Sequence, residues 1–290
     1  MGPRFLPSAI GLLVAIALWT PGAAYAQGNG RPKAPQAPTS TSTSAPQLVA
    51  PATVTTSRQF GAWLDDASSS YRGDSYASIG VGYWRLATAS QINAPMLGAG
   101  WGLTDRMQVS ASVPFYHTSY AGATASGMDD LYFGAKYTLI DPTLTLSEFG
   151  LAVNPVVEVL SAGNPDGRLH FALPVSVELR RQPFRVYGSA GYFTRGSVFA
   201  GGALEWTGAR LILTGSLTQS YSIKADAVLD NMAVGREHVD VSGSVAVPLT
   251  NRTAAFVNVG RSLSPIEEGG TRLALSGGVS FRFAAAAATP

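Results

Sequence analysis

The chain has 290 residues, of which 46% are apolar and only 13% are charged. Soluble domains usually carry about 25% charged residues, so this chain has less polar surface than a soluble domain of its size needs. The complete lack of cysteine excludes disulfide frameworks, thiolate metal sites and cysteine nucleophiles. The net charge of +2 is dispersed and forms no basic patch, which argues against nucleic acid as a partner.

Residues 1–26 have the features of a secretory signal peptide. Arg4 and the amino terminus provide positive charge, an apolar run occupies residues 9–19, and Ala24-Tyr25-Ala26 forms a small-x-small cleavage site. The apolar run is too short for a spanning helix, which needs roughly 20 residues. A cleaved signal peptide is therefore predicted rather than a membrane anchor, and any insertion into a membrane must use strands.

Composition divides the rest of the chain into a linker, a short element, a long domain and a tail. Residues 27–57 are rich in Pro, Ser and Thr without apolar periodicity, which predicts a disordered tether. Residues 58–75 are interpreted as a segment that plugs or caps the domain. That domain is predicted to occupy residues 76–283, and an Ala-rich tail follows at residues 284–290.

Polar and apolar residues alternate with a period of two throughout the long domain. In one predicted strand, Val109, Ala111 and Val113 occupy one face while Ser110 and Ser112 occupy the other. About twelve such strands follow one another, with lengths that suit a tilted transmembrane strand of ~9–11 residues or slightly more. The fold class predicted is an all-β, up-and-down antiparallel β-barrel of the outer-membrane type.

Short and long connections segregate to opposite ends of the predicted barrel. This asymmetry is typical of outer-membrane barrels, whose short turns face the periplasm. The short turns are predicted at residues 104–106, 141–143, 182–183, 208–209 and 250–252, and the longer connections at residues 87–93, 117–127, 161–168, 221–235 and 264–270, with a short exception at residues 195–196. Pro155 and Pro174 fall inside predicted strands, where each loses a ladder hydrogen bond, so a bulge or register shift is expected there.

A soluble β-sandwich also alternates, but three features favour the membrane barrel. The strands are longer than the ~5–6 residues usual in soluble proteins. Aromatic residues gather at both strand ends on the apolar face, as at the two interfaces of a membrane. The last strand ends on Phe283 and looks like the carboxy-terminal signal read by the outer-membrane assembly machinery. The partners expected are therefore outer-membrane lipid, that machinery and a small-molecule solute.

The charged face is predicted to line the lumen, because a Lys or Arg on the lipid face at mid-membrane costs about 2–4 kcal/mol. Such a lining either selects a solute or only fills the interior with salt bridges, and both interpretations stay open. Twelve strands would leave a constricted lumen. The predicted lumen-lining residues are Gln108, Ser110, Ser112, Lys136, Glu158, Glu178, Arg180, Arg185, Glu205, Arg210, Asp240, Arg272 and Arg282.

Several small motifs invite a chemical interpretation. Gly73-Asp74-Ser75-Tyr76 looks like a lipase nucleophile motif, but lacks a downstream Asp-x-x-His partner and is better explained as a turn. His117, Ser119 and Asn164 could supply a hydrolase set, yet they lie in separate predicted loops without that enzyme's motif. The three histidines lack metal-ligand spacing. No catalytic residue, cofactor or metal is therefore predicted.

Four short motifs resemble the putative phenol-degradation meta-pathway (MetA-like) family of outer-membrane proteins. They are Gly102-Leu103-Thr104-Asp105-Arg106, Val113-Pro114-Phe115, Gly127-Met128-Asp129-Asp130-Leu131 and Gly134-Ala135-Lys136-Tyr137. The resemblance implies an outer-membrane channel for aromatic or other small hydrophobic compounds. Passive transport of small solutes is the function expected. The alternatives are a structural or adhesive barrel with a closed lumen and a barrel-embedded lipid hydrolase.

Overall fold

The structure is a computed structural model that describes residues 63–120, 122–142, 148–161, 167–224, 235–266 and 270–283. The predicted signal peptide, linker and tail lie outside these residues. The described part contains fifteen strand segments and no helix that is long and apolar enough to span a membrane. The strands are β1 (Ser75–Arg85), β2 (Ala89–Thr104), β3 (Met107–Tyr120), β4 (Ala123–Met128), β5 (Leu131–Ile140), β6 (Phe149–Val153), β7 (Val156–Val159), β8 (Leu169–Ala172), β9 (Val175–Arg181), β10 (Phe184–Phe193), β11 (Ser197–Thr207), β12 (Ile212–Ser222), β13 (Glu237–Pro248), β14 (Thr253–Ser262) and β15 (Leu273–Phe283).

The segments form a closed antiparallel barrel of twelve strands in the described ranges. Three strands are each made of two consecutive segments, namely β4 with β5, β6 with β7 and β8 with β9, because each pair shares a neighbour. The first and last strands close the sheet, with Ser75 opposite Phe283 and Arg85 opposite Leu273. Closure pairs the strands around the barrel wall, as a hydrocarbon environment demands, and among the described strands β4 keeps an unpaired edge because it is bonded to β3 alone. The predicted twelve-stranded antiparallel barrel is confirmed.

The two ends of the barrel differ. The turn end carries the connections that follow β2, β5, β9, β11 and β13, and it also receives the chain before β1. The loop end carries the connections that follow β1, β3, β7, β10, β12 and β14. Backbone hydrogen bonds close the tight turns, for example from Thr250 N to Thr253 O at 3.1 Å.

Two predicted loops are strand instead. Residues 89–93 belong to β2, and residues 117–120 and 123–127 belong to β3 and β4. The backbone ladder continues through both, with Asn93 opposite Tyr116 and His117 opposite Ser126. These stretches are rich in Ser and Thr, whose polarity predicted loops, but polar side chains are compatible with a strand that projects into water. The β3–β4 hairpin therefore continues beyond the pairing of β3 with β5, which ends at Ser112 opposite Tyr132.

Pro155 and Pro174 interrupt two neighbouring strands, but the bulge or register shift predicted there is wrong, because Val153 opposite Val175 and Val156 opposite Ala172 keep the same register across both prolines. The ladder stops between β6 and β7 and again between β8 and β9. The carbonyl groups of both prolines still accept hydrogen bonds, Pro155 O from Ala135 N and Pro174 O from Asn154 N, each at 2.9 Å. Each proline thus removes one backbone N–H donor from the sheet, while its carbonyl group remains hydrogen-bonded to the neighbouring strand.

Apolar side chains point outward and polar ones inward along most strands. Val257 in the middle of β14 is 61% exposed, whereas Ser262 at the end of that strand is 1% exposed. On β15, Phe281 and Phe283 are exposed, and Ser280 between two outward positions is buried. This is the inverse of a soluble core and matches a barrel whose exterior faces lipid.

Candidate functional site

The strand alternation places the polar side chains in the barrel interior. On β5, the outward-facing Phe133 and Tyr137 are 46% and 44% exposed, while Tyr132, Gly134 and Lys136, at the alternate positions, are buried. The same alternation holds on most of the other strands. The candidate site is therefore the lumen and the side chains that line it.

Most of the predicted lumen-lining residues lie on strands, on the face opposite to the exposed apolar side chains. Arg210 and Arg272 do not, because they lie outside the strands, just before β12 and β15, and are exposed. The alternation of polar and apolar residues continues into the connections between strands, but there it no longer indicates whether a side chain points inward or outward. The residues on inward-facing strand positions are Gln108, Ser110, Ser112, Lys136, Glu158, Glu178, Arg180, Arg185, Glu205, Asp240 and Arg282.

Five of these residues form a charge cluster toward the turn end, made of Lys136, Glu178, Arg180, Arg185 and Glu205. Arg185 on β10 faces Arg180 on β9 and Glu205 on β11 in the strand register. Its Nε atom lies 3.8 Å from Glu178 Oε1 and 3.5 Å from Glu205 Oε1. Charges this well shielded from water must be paired, so each member constrains the others.

The chain before β1 enters this cluster. We call residues 63–74 the inner segment. Lys136 Nζ donates to Asp65 Oδ1 at 2.8 Å, to Asp66 Oδ1 at 3.0 Å and to Ser68 O at 3.0 Å. Arg185 Nη2 donates to Asp66 Oδ2, and Asn154 Nδ2 donates to Asp65 Oδ2, both at 2.8 Å. Three strand side chains thus hold two consecutive carboxylates.

Glu178 binds the next part of the inner segment. Its Oε2 atom accepts from Ala67 N at 3.2 Å and from Ser68 Oγ at 2.7 Å. Thr138 Oγ1 donates to Ala67 O at 3.0 Å, and Gln108 Oε1 accepts from Ser70 N at 2.8 Å. These bonds run toward the turn end, so the inner segment lies along one wall of the lumen.

The other end of the inner segment lies in an apolar pocket. Trp63 is 5% exposed and packs against Tyr132 edge to face, with ring centroids 6.2 Å apart. The remaining members of this buried cluster are Val156, Ala172, Phe193 and Phe199. Ser189 Oγ donates to Trp63 O, which fixes the backbone beside the pocket. The aromatic contact and the carboxylate contacts are separated by Leu64 alone.

A second polar group lies closer to the loop end. Glu158 on β7 is 1% exposed and accepts from Tyr132 Oη at 2.9 Å. Arg195 Nη1 lies 3.5 Å from the same carboxylate.

On the far wall, Asp240 accepts from Ser262 Oγ. Arg282 and Asp74 form an ion pair at the turn end.

The wall formed by β12 and β13 is lined by small polar side chains. Inward-facing Thr214, Ser216, Ser242 and Ser244 are neither buried nor fully exposed, so this part of the lumen keeps contact with solvent. Ser216 Oγ and Ser242 Oγ lie 2.6 Å apart. The lumen is thus crowded on one wall and accessible on the other.

The sequence pattern did not identify Trp63, Asp65, Asp66 and Asn154 as site residues. Asn154 precedes the proline that interrupts its strand, and the other three precede the first strand, so the alternation could not assign them a direction. The available signal was compositional. Trp-Leu-Asp-Asp is an aromatic and acidic motif between a Pro/Ser-rich linker and the barrel.

The small chemical motifs have structural partners. Asp74 pairs with Arg282, and the neighbouring Ser75 belongs to β1. His117 Nδ1 lies 2.6 Å from Ser126 Oγ, directly opposite on β4, and Asn164 lies outside the described residues. In the described ranges, no group of three or more acidic or histidine side chains is placed to hold a metal ion.

Solved structures of outer-membrane barrels are similar to this chain. An outer membrane channel from Pseudomonas putida F1 matches with a TM-score of 0.57 and 13% identity, over 75% of this chain and 98% of that chain. The NanC porin matches with a TM-score of 0.51 and 9% identity, over 71% of this chain and 98% of its own. The KdgM porin in complex with disordered oligogalacturonate matches with a TM-score of 0.50 and 12% identity, over 71% and 99%.

At these identities the likeness establishes the fold alone. No model of a known protein family matches the sequence, and no curated protein matches it. The chain therefore has the closed antiparallel barrel of outer-membrane porins, with an inner segment bound to one wall of its lumen.

Proposed function

We propose that this protein is a passive outer-membrane channel for small solutes, and that its inner segment is a plug that narrows the resting lumen. One observation carries the proposal. The inward-facing hydroxyl side chains of Thr214 and Ser216 on β12 and of Ser242 and Ser244 on β13 keep solvent contact, although they face the interior of a closed barrel. A lumen filled only by side chains would bury them, as happens in barrels of about eight strands.

The contacts of the inner segment support its role as a plug. Lys136, Glu178 and Arg185 hold it through ion pairs and hydrogen bonds. Such contacts can be exchanged for water or a polar solute, whereas an interdigitated apolar core cannot be exchanged without large loss. Trp63 is held by apolar contacts, but the attachment from Asp65 to Ser70 is polar and favours a removable occupant over a permanent filling.

The proposed location is the bacterial outer membrane. The exposed apolar side chains on the exterior support it, and so does the predicted signal peptide at residues 1–26. We also propose that the assembly machinery recognises the end of β15, where Phe281 and Phe283 are exposed. The turn end then faces the periplasm.

Aromatic or hydrophobic compounds are the proposed solutes. The support comes from the resemblance to the MetA-like family around Gly102, Val113, Gly127 and Gly134, and from the aromatic cluster that receives Trp63. No cofactor and no energy source are part of the proposal, because diffusion through a lumen needs neither.

A structural or adhesive barrel is the second candidate. The β3–β4 hairpin favours it, because β4 is bonded to β3 alone among the described strands and every residue of β4 is exposed. Tyr120 and Met128 are 57% and 45% exposed on this hairpin. Such a surface could contact a partner while the lumen stays closed.

Conductance in a planar bilayer separates the two candidates. The purified full chain, folded as judged by a heat-modifiable band, should pass discrete currents, and liposomes that contain it should swell in small neutral solutes. A folded barrel that passes neither ions nor solutes, even after the plug contacts are removed by Asp65→Asn and Asp66→Asn, would exclude the channel and leave the structural role.

A further inference from the structure

We infer that the inner segment occupies a solute-binding site, and that the matching solute is a carboxylate with an aromatic ring held at a distance by a short spacer. The inference rests on the proposed channel function and adds its substrate class. In the resting state the segment presents a ring, a one-residue gap and two carboxylates to the lumen wall. The side chains of the wall bind the ring and the carboxylates, so a solute with the same two groups could take their place.

The charge balance of the wall favours an anion. The charge cluster contributes three basic and two acidic side chains, so it carries an excess of one positive charge when the segment is absent. Both carboxylates that pair with Lys136, those of Asp65 and Asp66, belong to the segment. With the segment in place, Lys136 is 6% exposed. When the segment leaves, the ammonium group faces the lumen without these two carboxylates, so the excess positive charge of the wall favours an anion there. One solute carboxylate supplies it.

The ring position is equally well defined. The aromatic cluster encloses Trp63 with Tyr132, Phe193 and Phe199, whose ring edges and faces suit a planar apolar group. Phe193 and Phe199 lie at a ring-centroid distance of 5.5 Å from each other and form one side of this pocket. An apolar ring gains from burial here, while a purely aliphatic small acid leaves the pocket unfilled.

The spacing follows from the register of β5. Its successive inward positions are Tyr132, Gly134 and Lys136, which provide a ring contact, a gap and a cation. A Cβ atom at Gly134 would lie 2.9 Å from Ser110 Oγ and 3.3 Å from Asn154 Oδ1, so glycine lets these two polar side chains pack between the ring contact and the cation. Trp63 and Asp65 are two residues apart, roughly 7 Å along an extended chain. Phenylbutyrate has a ring and a carboxylate separated by a comparable length.

The prediction is that such an acid competes with the segment and permeates faster than its neutral or ring-free counterparts. Liposomes that contain the full chain, with protein-free liposomes as background, are assayed for uptake of phenylbutyrate, phenylbutyramide and butyrate. The Asp65→Asn/Asp66→Asn variant, in which the wall cations are released, should take up phenylbutyrate about tenfold faster than phenylbutyramide, as expected for one charged hydrogen bond.

Adding Lys136→Gln to this variant should remove the preference for the acid while uptake of phenylbutyramide continues, which shows that the barrel is still folded. Arg252→Gln, at an exposed turn, serves as the matched control and should keep the preference.

The outcomes separate this inference from the channel proposal. Equal uptake of phenylbutyrate and phenylbutyramide by the double variant would overturn the carboxylate site, and equal uptake of butyrate and phenylbutyrate would overturn the ring pocket; in both cases the channel stands. If no variant admits any of the three probes, the channel itself fails and the inference fails with it.

Discussion

Lys136 on β5 and Asp65 in the inner segment form an ion pair, Nζ to Oδ1 at 2.8 Å, between residues 71 positions apart in the chain. The side chains are 6% and 24% exposed. Removing one partner of a shielded pair leaves an uncompensated charge, which costs more than the pair itself contributes. Loss of this pair should therefore weaken the attachment of the inner segment to the lumen wall.

Lys136→Gln should release the inner segment. The chain contains no cysteine, so a single Ser69→Cys change provides a clean reporter. Ser69 Oγ is buried and has no hydrogen-bond partner among the described residues, so the substitution breaks no bond. Because breaking a buried pair costs on the order of 3–5 kcal/mol, thiol labelling of Cys in this background should accelerate by at least about tenfold. Equally slow labelling of Ser69→Cys with and without Lys136→Gln would show that the other contacts suffice to hold the inner segment. Arg252→Gln, at an exposed turn, is the control and should not change the labelling rate.

Glu178→Gln should destabilise the folded barrel. The carboxylate is fully buried and joins Ala67, Ser68, Arg180 and Arg185. Its neutralisation leaves two guanidinium groups short of a partner, and we expect a loss of about 3–5 kcal/mol in the free energy of unfolding. Urea titration of the protein folded in lipid vesicles measures it.

Glu148→Gln is the matched control for that experiment. Glu148 has a 55% exposed side chain and lies 3.9 Å from Arg181. Exposed pairs of this kind contribute about 0–1 kcal/mol. Equal unfolding midpoints for the two variants would contradict the importance of the buried carboxylate.

Gly102→Ala should displace the inner segment without any change of charge. A Cβ atom at this position would lie 2.0 Å from Tyr71 O and 2.5 Å from Ser70 O, which are backbone atoms and can move only with the segment. We expect higher single-channel conductance in the variant. Gly215→Ala is the control, because nothing lies within 4 Å of its Cβ position. An unchanged conductance for Gly102→Ala would show that a shifted segment still closes the lumen.

Neighbouring positions on β14 test the orientation of the barrel wall. Val257 faces outward and is 61% exposed, whereas Asn258 faces the lumen. Val257→Arg places a charge at the lipid midplane and should cost about 2–4 kcal/mol of stability. Asn258→Arg should fold better than Val257→Arg and lower the conductance, because its longer side chain extends into the lumen and away from lipid. Normal folding of both variants in vesicles would contradict a lipid-facing exterior.

The strands were predictable because their signal is local. Side chains alternate between the two faces with a period of two, so Lys136 and Glu178 could be assigned to the interior without knowledge of any partner. Their partners could not be assigned. Asp66 and Arg185 are 119 residues apart, and no periodicity in the sequence relates a strand to the irregular segment that it binds.

The misplaced loops have a different cause. Residues 117–127 are polar enough to read as a loop, yet β3 and β4 pair along most of this stretch, from Phe115 opposite Met128 to Tyr120 opposite Ala123. Polar side chains indicate that a stretch is in contact with water, whereas a strand is defined by its backbone hydrogen bonds. Outside the membrane a strand can carry polar side chains on both faces, so side-chain polarity does not distinguish it from a loop. The sequence therefore identifies the lipid-facing part of a strand better than the strand itself.

The inner segment is continuous with β1 and is fastened at the turn end, where Gly73 N donates to Gly102 O at 2.8 Å and Asp74 pairs with Arg282. A segment that left the lumen would remain tethered at this point by about ten residues. Short tethers hold a ligand at an effective concentration on the order of 1 mM near its site. Reclosure is then intramolecular, so its rate is independent of the amount of protein in the membrane, and a solute must compete with a ligand that never diffuses away.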